Sequence, residues 1–295
     1  MPQERSELCA AALAGSAAAA ADDRSRLLVE GFVHQAGPPP DAYAWVALGS
    51  HARGELHCTS DQDHALVWAT DRAAASRYAA DLAAAVISGL AAFGMRRCDG
   101  GYMADAWSRS LPDWVARLRE QLRAPTPQAV LDTDVFLDLR RLAGAVDIAP
   151  MQGVLLAGAD SPRLLHGLAV SANRFPVPLG AFGRLPAGPI DVKRSGLVPL
   201  VLLARLYGLQ ARTTAVGTAD RLRAAVRAGV LSPSLGEALV AAGALLAGLR
   251  LASQRDGRPV VARDLAPADA AALREAFAAI RTAQSAAAMA HRADL

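Results

Sequence analysis

The sequence predicts an α+β chain, with a sheet-and-helix part over residues 1–143 and an all-α helical bundle over residues 144–295. Three observations carry this. Two short apolar runs, 44–48 and 62–68, bracket a polar loop, as paired strands do. From residue 73 the apolar period lengthens to that of a helix. Beyond about residue 144 strand-like alternation fades and helical segments follow one another.

Composition sets the limits. A chain of 295 residues suits two domains, and at 53% hydrophobic it can build a core without structural metal or disulfides. The formal charge of +3 is too mild to indicate nucleic acid as a partner. Cys9, Cys58 and Cys98 are odd in number and irregular in spacing, which argues against a disulfide scaffold and for the cytoplasm. The small apolar stretch 8–21 follows two acidic residues and one arginine, unlike a signal peptide. The apolar stretch 237–249 is too short to span a bilayer, so no membrane association is expected.

The elements follow in order. Residues 1–21, alanine-rich, read as a frayed helix, and 22–34 as a helix with apolar positions Leu27, Leu28, Phe32 and Val33. Three consecutive prolines stop it before the first strand. Residues 73–93 form a long helix ended by Gly94, and 95–98 a short strand. Gly100 and Gly101 permit a tight turn. Residues 108–122 form a helix capped by Ser108 or Ser110, with Trp114, Leu118 and Leu122 on one face and Trp107 and Trp114 in the core. In 129–142, Val135, Leu137 and Leu139 alternate with Phe136, Asp138 and Arg140, as in a strand. Helices are expected over 150–168, 193–209, 218–228, 235–254 and 267–290, the last with Leu273, Phe277 and Ile280 inward. A proline- and glycine-rich connection fills 171–189.

The chemistry concentrates around the first two strands. Asp61 and Asp63, two apart on a strand, share one face roughly 6–7 Å apart. Two such carboxylates repel unless a cation lies between them, and hard oxygen ligands suit Mg²⁺ or Mn²⁺ with phosphate. Gly49 lets backbone approach a ligand closely, Ser50 caps a short helix, and Arg53 offers an anion a fork of donors. Glu55 reads as an orienting partner of Arg53. A carboxylate in a half-apolar strand is costly unless paired or metal-bound, so Asp138 either pairs with Arg140 or joins the acidic pair as a third ligand. Arg140 then neutralises phosphate or fixes Asp138. Asp191 and Lys193 line the cleft or form a loop-to-helix salt bridge. His51 or His57 could contact phosphate, but with Cys58 they make no convincing zinc site. Cys98, with no base identified beside it, reads as a packing residue.

Read together, Gly49-Ser50-His51-Ala52-Arg53-Gly54-Glu55 and Ser60-Asp61-Gln62-Asp63 resemble the nucleotidyltransferases built on the DNA polymerase beta core. More closely, they resemble a family of nucleotidyltransferases related to the sensor-type domain of PII-uridylyltransferase. The likeness continues at Cys98-Asp99-Gly100-Gly101-Tyr102, Trp107-Ser108-Arg109-Ser110-Leu111, Phe136-Leu137-Asp138-Leu139-Arg140 and Ile190-Asp191-Val192-Lys193. His64 stands where many relatives are expected to have Asn. The resemblance implies a mixed sheet with helices, then a helical substrate-binding domain. It implies Asp61, Asp63 and Asp138 as catalytic metal ligands, and Gly49, Ser50, Arg53, Gly101, Arg140 and Lys193 as nucleotide contacts.

The expected activity is Mg²⁺- or Mn²⁺-dependent transfer of a nucleoside monophosphate from an NTP, ATP among the candidates, to an acceptor hydroxyl. Release of pyrophosphate accompanies it. The acceptor could be a regulatory protein, placing the chain in signal transduction, with a homodimer or a separate regulatory chain as further expectations. The alternative is a nucleotide-binding regulatory or scaffold protein without turnover.

Overall fold

A computed structural model describes residues 6–293. The chain forms two compact units. The first runs through Ala124 and resumes at Val135–Leu155; the second comprises Pro125–Asp134 and the chain from Leu156 onward.

The first unit opens with α1 (Glu7–Leu13) and α2 (Ala17–Ala36). Of the stretch expected to fray, residues 1–5 lie outside the described residues and the rest is packed: Leu8, Ala12, Ala17 and Ala21 are buried, the alanines letting the two helices approach closely. Cys9 is disulfide-bonded to Cys58, tying α1 to the loop before Asp61. The number of cysteines gave no sign of this pair, since spacing cannot show which loop α1 lies against. Closing so long a loop stabilises by roughly 4 kcal/mol on the chain-entropy view.

Next come β1 (Tyr43–Ala47), α3 (Gly49–Arg53), β2 (Asp61–Gln62) and β3 (His64–Trp68). They are followed by α4 (Asp71–Ala74), α5 (Arg77–Phe93), β4 (Arg96–Arg97), β5 (Ser108–Ser110) and α6 (Leu111–Arg123). Gly94 ends α5 in the left-handed region, as expected. Ser110 caps α6 by accepting from Asp113 N–H at 3.2 Å. Then come α7 (Pro127–Phe136), β6 (Arg140–Gly144) and α8 (Ala149–Ala157).

The alternation that suggested a strand around residue 135 is the end of α7 and a turn. Thr126 Oγ1 accepts from Ala129 N–H at 3.1 Å and Pro127 follows it, a helix start that overrides the period-two pattern. Asp138 therefore lies in the turn before β6.

The main sheet has the order β5-β3-β1-β6 and is mixed: β1 pairs antiparallel with β3 and β6, and β3 parallel with β5. Ala44, Val46, Ala65 and Val67 meet Trp114, Leu118, Phe136 and Met151 in one core. Full burial of a Val, Leu, Phe or Met side chain contributes about 1.5–3 kcal/mol. On the other face, Trp45 packs on the His64 ring at 4.7 Å and Trp68 meets Tyr78 of α5 edge-on.

The second unit is helical: α9 (Pro162–Asn173), α10 (Val198–Gln210), α11 (Thr218–Arg227), α12 (Pro233–Asp256) and α13 (Pro267–His291). Its core includes Leu164, Leu203, Leu222, Leu239, Leu246, Leu273, Phe277 and Ile280. Gln284 of α13 donates to Ala172 O at 2.8 Å and Phe175 O at 3.0 Å, and Tyr207 to Ala283 O at 2.9 Å. A buried ion pair, Arg205–Asp134 at 2.6 Å, anchors α10 to the start of the unit. Helix α12 is longer than expected. By length and composition alone its 24 residues could cross a bilayer; Leu239, Ala242 and Leu246 are buried within this unit, where α12 packs on α11 and α13.

Candidate functional site

The site grows from the end of β1. Leu48 N–H donates to Asp63 O at 2.9 Å, so the chain around Asp63 runs beside the Gly49 turn. Gly49 has φ +54°, and a Cβ added there would overlap Asp63 Oδ2. Only glycine leaves the Asp63 carboxylate its place.

Asp63 is held from both sides. Ala104 N–H donates to His64 Nδ1 at 3.0 Å, which makes Nε2 the protonated nitrogen, and it donates to Gln62 Oε1 at 3.1 Å. Gln62 Nε2 then donates to Ile87 O at 3.3 Å and Met95 O at 3.1 Å. Burial, with the nearby His51 second, pushes the His64 imidazole down to about 3, so it stays neutral. Both flanking side chains are fully buried, and Asp63 is presented between two fixed points.

Asp61, Asp63 and Cys98 bring one ligand atom each to within 4.8 Å of one another. Two carboxylates and a thiol at this separation fit a divalent cation. Cys98 is thus placed at the carboxylate pair, beyond the packing role expected of it. Gly101 (φ +74°) closes the adjoining turn, its N–H donating to Cys98 O at 3.1 Å.

Cys98 is the free cysteine. Burial chiefly, then its hydrogen bond to Asp63 and the charge of that carboxylate, push its thiol up to about 11. In protein freed of cations with EDTA, iodoacetamide should therefore modify Cys98 at pH 8 about a hundredfold more slowly than an ordinary thiol. Intact-mass kinetics would show it; modification at the ordinary rate would contradict this placement.

Asp138 is fully buried and lies two residues before Arg140, which pairs with Ala47 across β1 from the Asp63 side. Its carboxylate accepts from Arg53 Nη1, and it is not among the three clustered ligands. Arg53 Nε also donates to Glu55 Oε2 at 2.7 Å, the partnership expected of Glu55. Ser50 sits inside α3 rather than capping it; the capping position is Leu48, which has no side-chain bond to give.

Asp138 pairs with a different arginine from the one its sequence spacing suggested. Arg53, not Arg140, holds Asp138. Arg140 is bound to Asp22, to His51 O and to Ala52 O. His51, almost wholly buried, meets Asp22 through Nε2 at 3.0 Å. In the second unit Asp191 Oδ1 accepts from Arg194 N–H at 2.9 Å, capping the turn Lys193–Leu197, while Lys193 is exposed.

Sequence reasoning passed over Asp22, Gln62 and His64. Polar residues at the inward positions of a strand were a usable signal for the last two. Asp22, on an alanine-rich helix, carried none.

Two family models match the chain. One, described as "Putative nucleotidyltransferase DUF294", matches residues 4–128. The other, "Putative nucleotidyltransferase substrate binding domain", matches residues 162–291. No match was found among proteins with curated descriptions.

Proposed function

We infer the function from one premise: the chain belongs to the DUF294 nucleotidyltransferase family. The reaction we assign is transfer of a nucleoside monophosphate from an NTP to an acceptor hydroxyl. The acceptor oxygen bonds to the α-phosphorus as the bond to the departing pyrophosphate breaks, and the hydroxyl proton is released.

The observation that supports this most directly is the convergence of Asp61, Asp63 and Cys98 beside the Gly49 turn. Asp61 and Asp63 would hold Mg²⁺ or Mn²⁺ there. When bound, the cation supplies charge neutralisation for the triphosphate and stabilises the leaving oxygen. Ser50 and the backbone at Gly49 present donors to phosphate. Arg53, kept in one orientation by Glu55 and Asp138, places a guanidinium at the same edge. Asp138 serves the site through Arg53 in this arrangement, and as a third cation ligand if that pair opens. We assign acceptor binding to the helical unit, in keeping with its match to a substrate-binding domain, and a protein hydroxyl is our first candidate.

One observation favours a second reading. Asp138 is engaged by Arg53 and stands outside the ligand cluster, as suits a protein that binds Mg-nucleotide without turnover. Incubation with Mn²⁺, each labelled NTP and a panel of proteins, metabolites and RNAs separates the two. We expect label transfer with pyrophosphate release, lowered by about a thousandfold in Asp61→Asn and Asp63→Asn. Nucleotide binding with no transfer to any acceptor would favour the second reading and overturn the first.

A further inference from the structure

The five-residue helix α3 carries three of the side chains and backbone groups assigned to phosphate, yet it is too short to hold its own orientation. Its fixing comes from behind. Asp22 of α2 binds Arg140 through both carboxylate oxygens, Nη1 to Oδ2 at 2.7 Å and Nη2 to Oδ1 at 2.8 Å. Oδ1 also meets His51 Nε2 at 3.0 Å. The same guanidinium donates onward to two backbone carbonyls of α3, Nε to Ala52 O at 2.9 Å and Nη2 to His51 O at 3.0 Å. One carboxylate thus sets an arginine fork and a buried imidazole, and both terminate on α3. Arg26 approaches Asp22 Oδ2 at 3.7 Å from the same helix.

We propose that Asp22 is a positioning residue of the site: through Arg140 and His51 it fixes α3 so that Gly49, Ser50 and Arg53 meet the nucleotide phosphates in one geometry. The inference rests on the nucleotidyltransferase reading. A fork bound on both sides is well suited to this task, because a planar guanidinium transmits orientation as well as charge. Burial by itself would raise the Asp22 carboxyl, but the hydrogen bonds from His51 and Arg140 and the charge of Arg140 outweigh it and hold the group well below the usual carboxylate range. The network is therefore formed at neutral pH.

The test compares wild type with Asp22→Asn and Arg140→Lys. Folding is followed by circular dichroism, Mn²⁺ binding by electron paramagnetic resonance, and Mg-nucleotide binding by calorimetry with each common NTP. Asp22→Asn keeps the shape and loses the charge; Arg140→Lys keeps the charge and loses the fork. We expect each variant to bind Mn²⁺ alone within about twofold of wild type and Mg-nucleotide about tenfold more weakly. The double variant Asp22→Asn/Arg140→Lys should be no worse than either single one, since all break the same link. If Asp22→Asn fails to fold, Arg140→Lys decides. Unchanged nucleotide affinity in the folded variants, or strictly additive losses, would overturn the role of Asp22 while leaving the enzyme reading intact. Wild type that binds Mn²⁺ but no nucleotide would overturn the enzyme reading, and the role of Asp22 with it.

Discussion

Gly49→Ala should remove divalent-cation binding at Asp61 and Asp63 with only a small loss of stability. The residue occupies φ +54°, where an alanine costs about 1 kcal/mol. The larger effect is steric. An added Cβ falls on Asp63 Oδ2, with Asp63 Cγ at 3.2 Å and Cβ at 3.4 Å behind it. The backbone cannot retreat readily, because Leu48 is hydrogen-bonded to Asp63 O and the residues on either side of Asp63 are buried and bonded. The carboxylate must swing away, and the cation loses a ligand. We expect Mn²⁺ affinity to fall by roughly a hundredfold, the upper end of what disturbing a ligand's support costs. Calorimetry with Mn²⁺ and a urea titration on the same preparation check both halves. Binding within about threefold of wild type would show that Asp63 is not held against this turn.

The second large effect concerns acid. His64 is buried and neutral, and its folded value, about 3, lies below the ordinary 6.5 it regains on unfolding. The unfolded chain therefore binds the proton first. Stability contributed by the neutral ring is fully present above about pH 6.5 and is lost as pH falls from there toward the folded value. At pH 5.5, in cation-free buffer, the loss from this one group should be roughly 1 kcal/mol relative to neutral pH. His64→Ala should cost roughly 2–4 kcal/mol at pH 7.5, since it opens a cavity and strands the Ala104 N–H and Gln62 Oε1. The same variant should also lose this part of the acid dependence. Urea midpoints of both proteins across pH 5.5–7.5 provide the comparison; parallel pH profiles would refute it.

These expectations show which features a sequence can disclose. The strands at residues 44–47 and 64–68 were legible because each packs on both faces and so reads as a short apolar run. Most helices of the second unit were legible, Leu273, Phe277 and Ile280 included, but the single helix expected over 150–168 is broken at Gly158–Asp160. The closeness of Asp61 and Asp63 was legible from their spacing. What failed was partnership at a distance. Asp22 and Arg140 are 118 residues apart, and nothing local distinguishes Asp22 from its exposed neighbour Asp23. The pairing of Asp138 with Arg53 rather than Arg140 has the same origin: both arginines face carboxylates, and only the chain's path decides which. Around residue 135 the apolar alternation was real, but the Thr126–Pro127 helix start outweighed it.

The route of the backbone has a bearing on synthesis. The chain quits its first unit at Ala124, contributes ten residues to the other, and returns at Val135 with the outermost strand still to come. On the ribosome, the flank of Tyr43–Ala47 that will pair with Arg140–Gly144 therefore stays open until those later codons are read. For that interval the nascent domain carries an unsealed edge that a neighbouring chain or a chaperone could occupy. A gene fragment stopped near codon 128 would make the condition permanent.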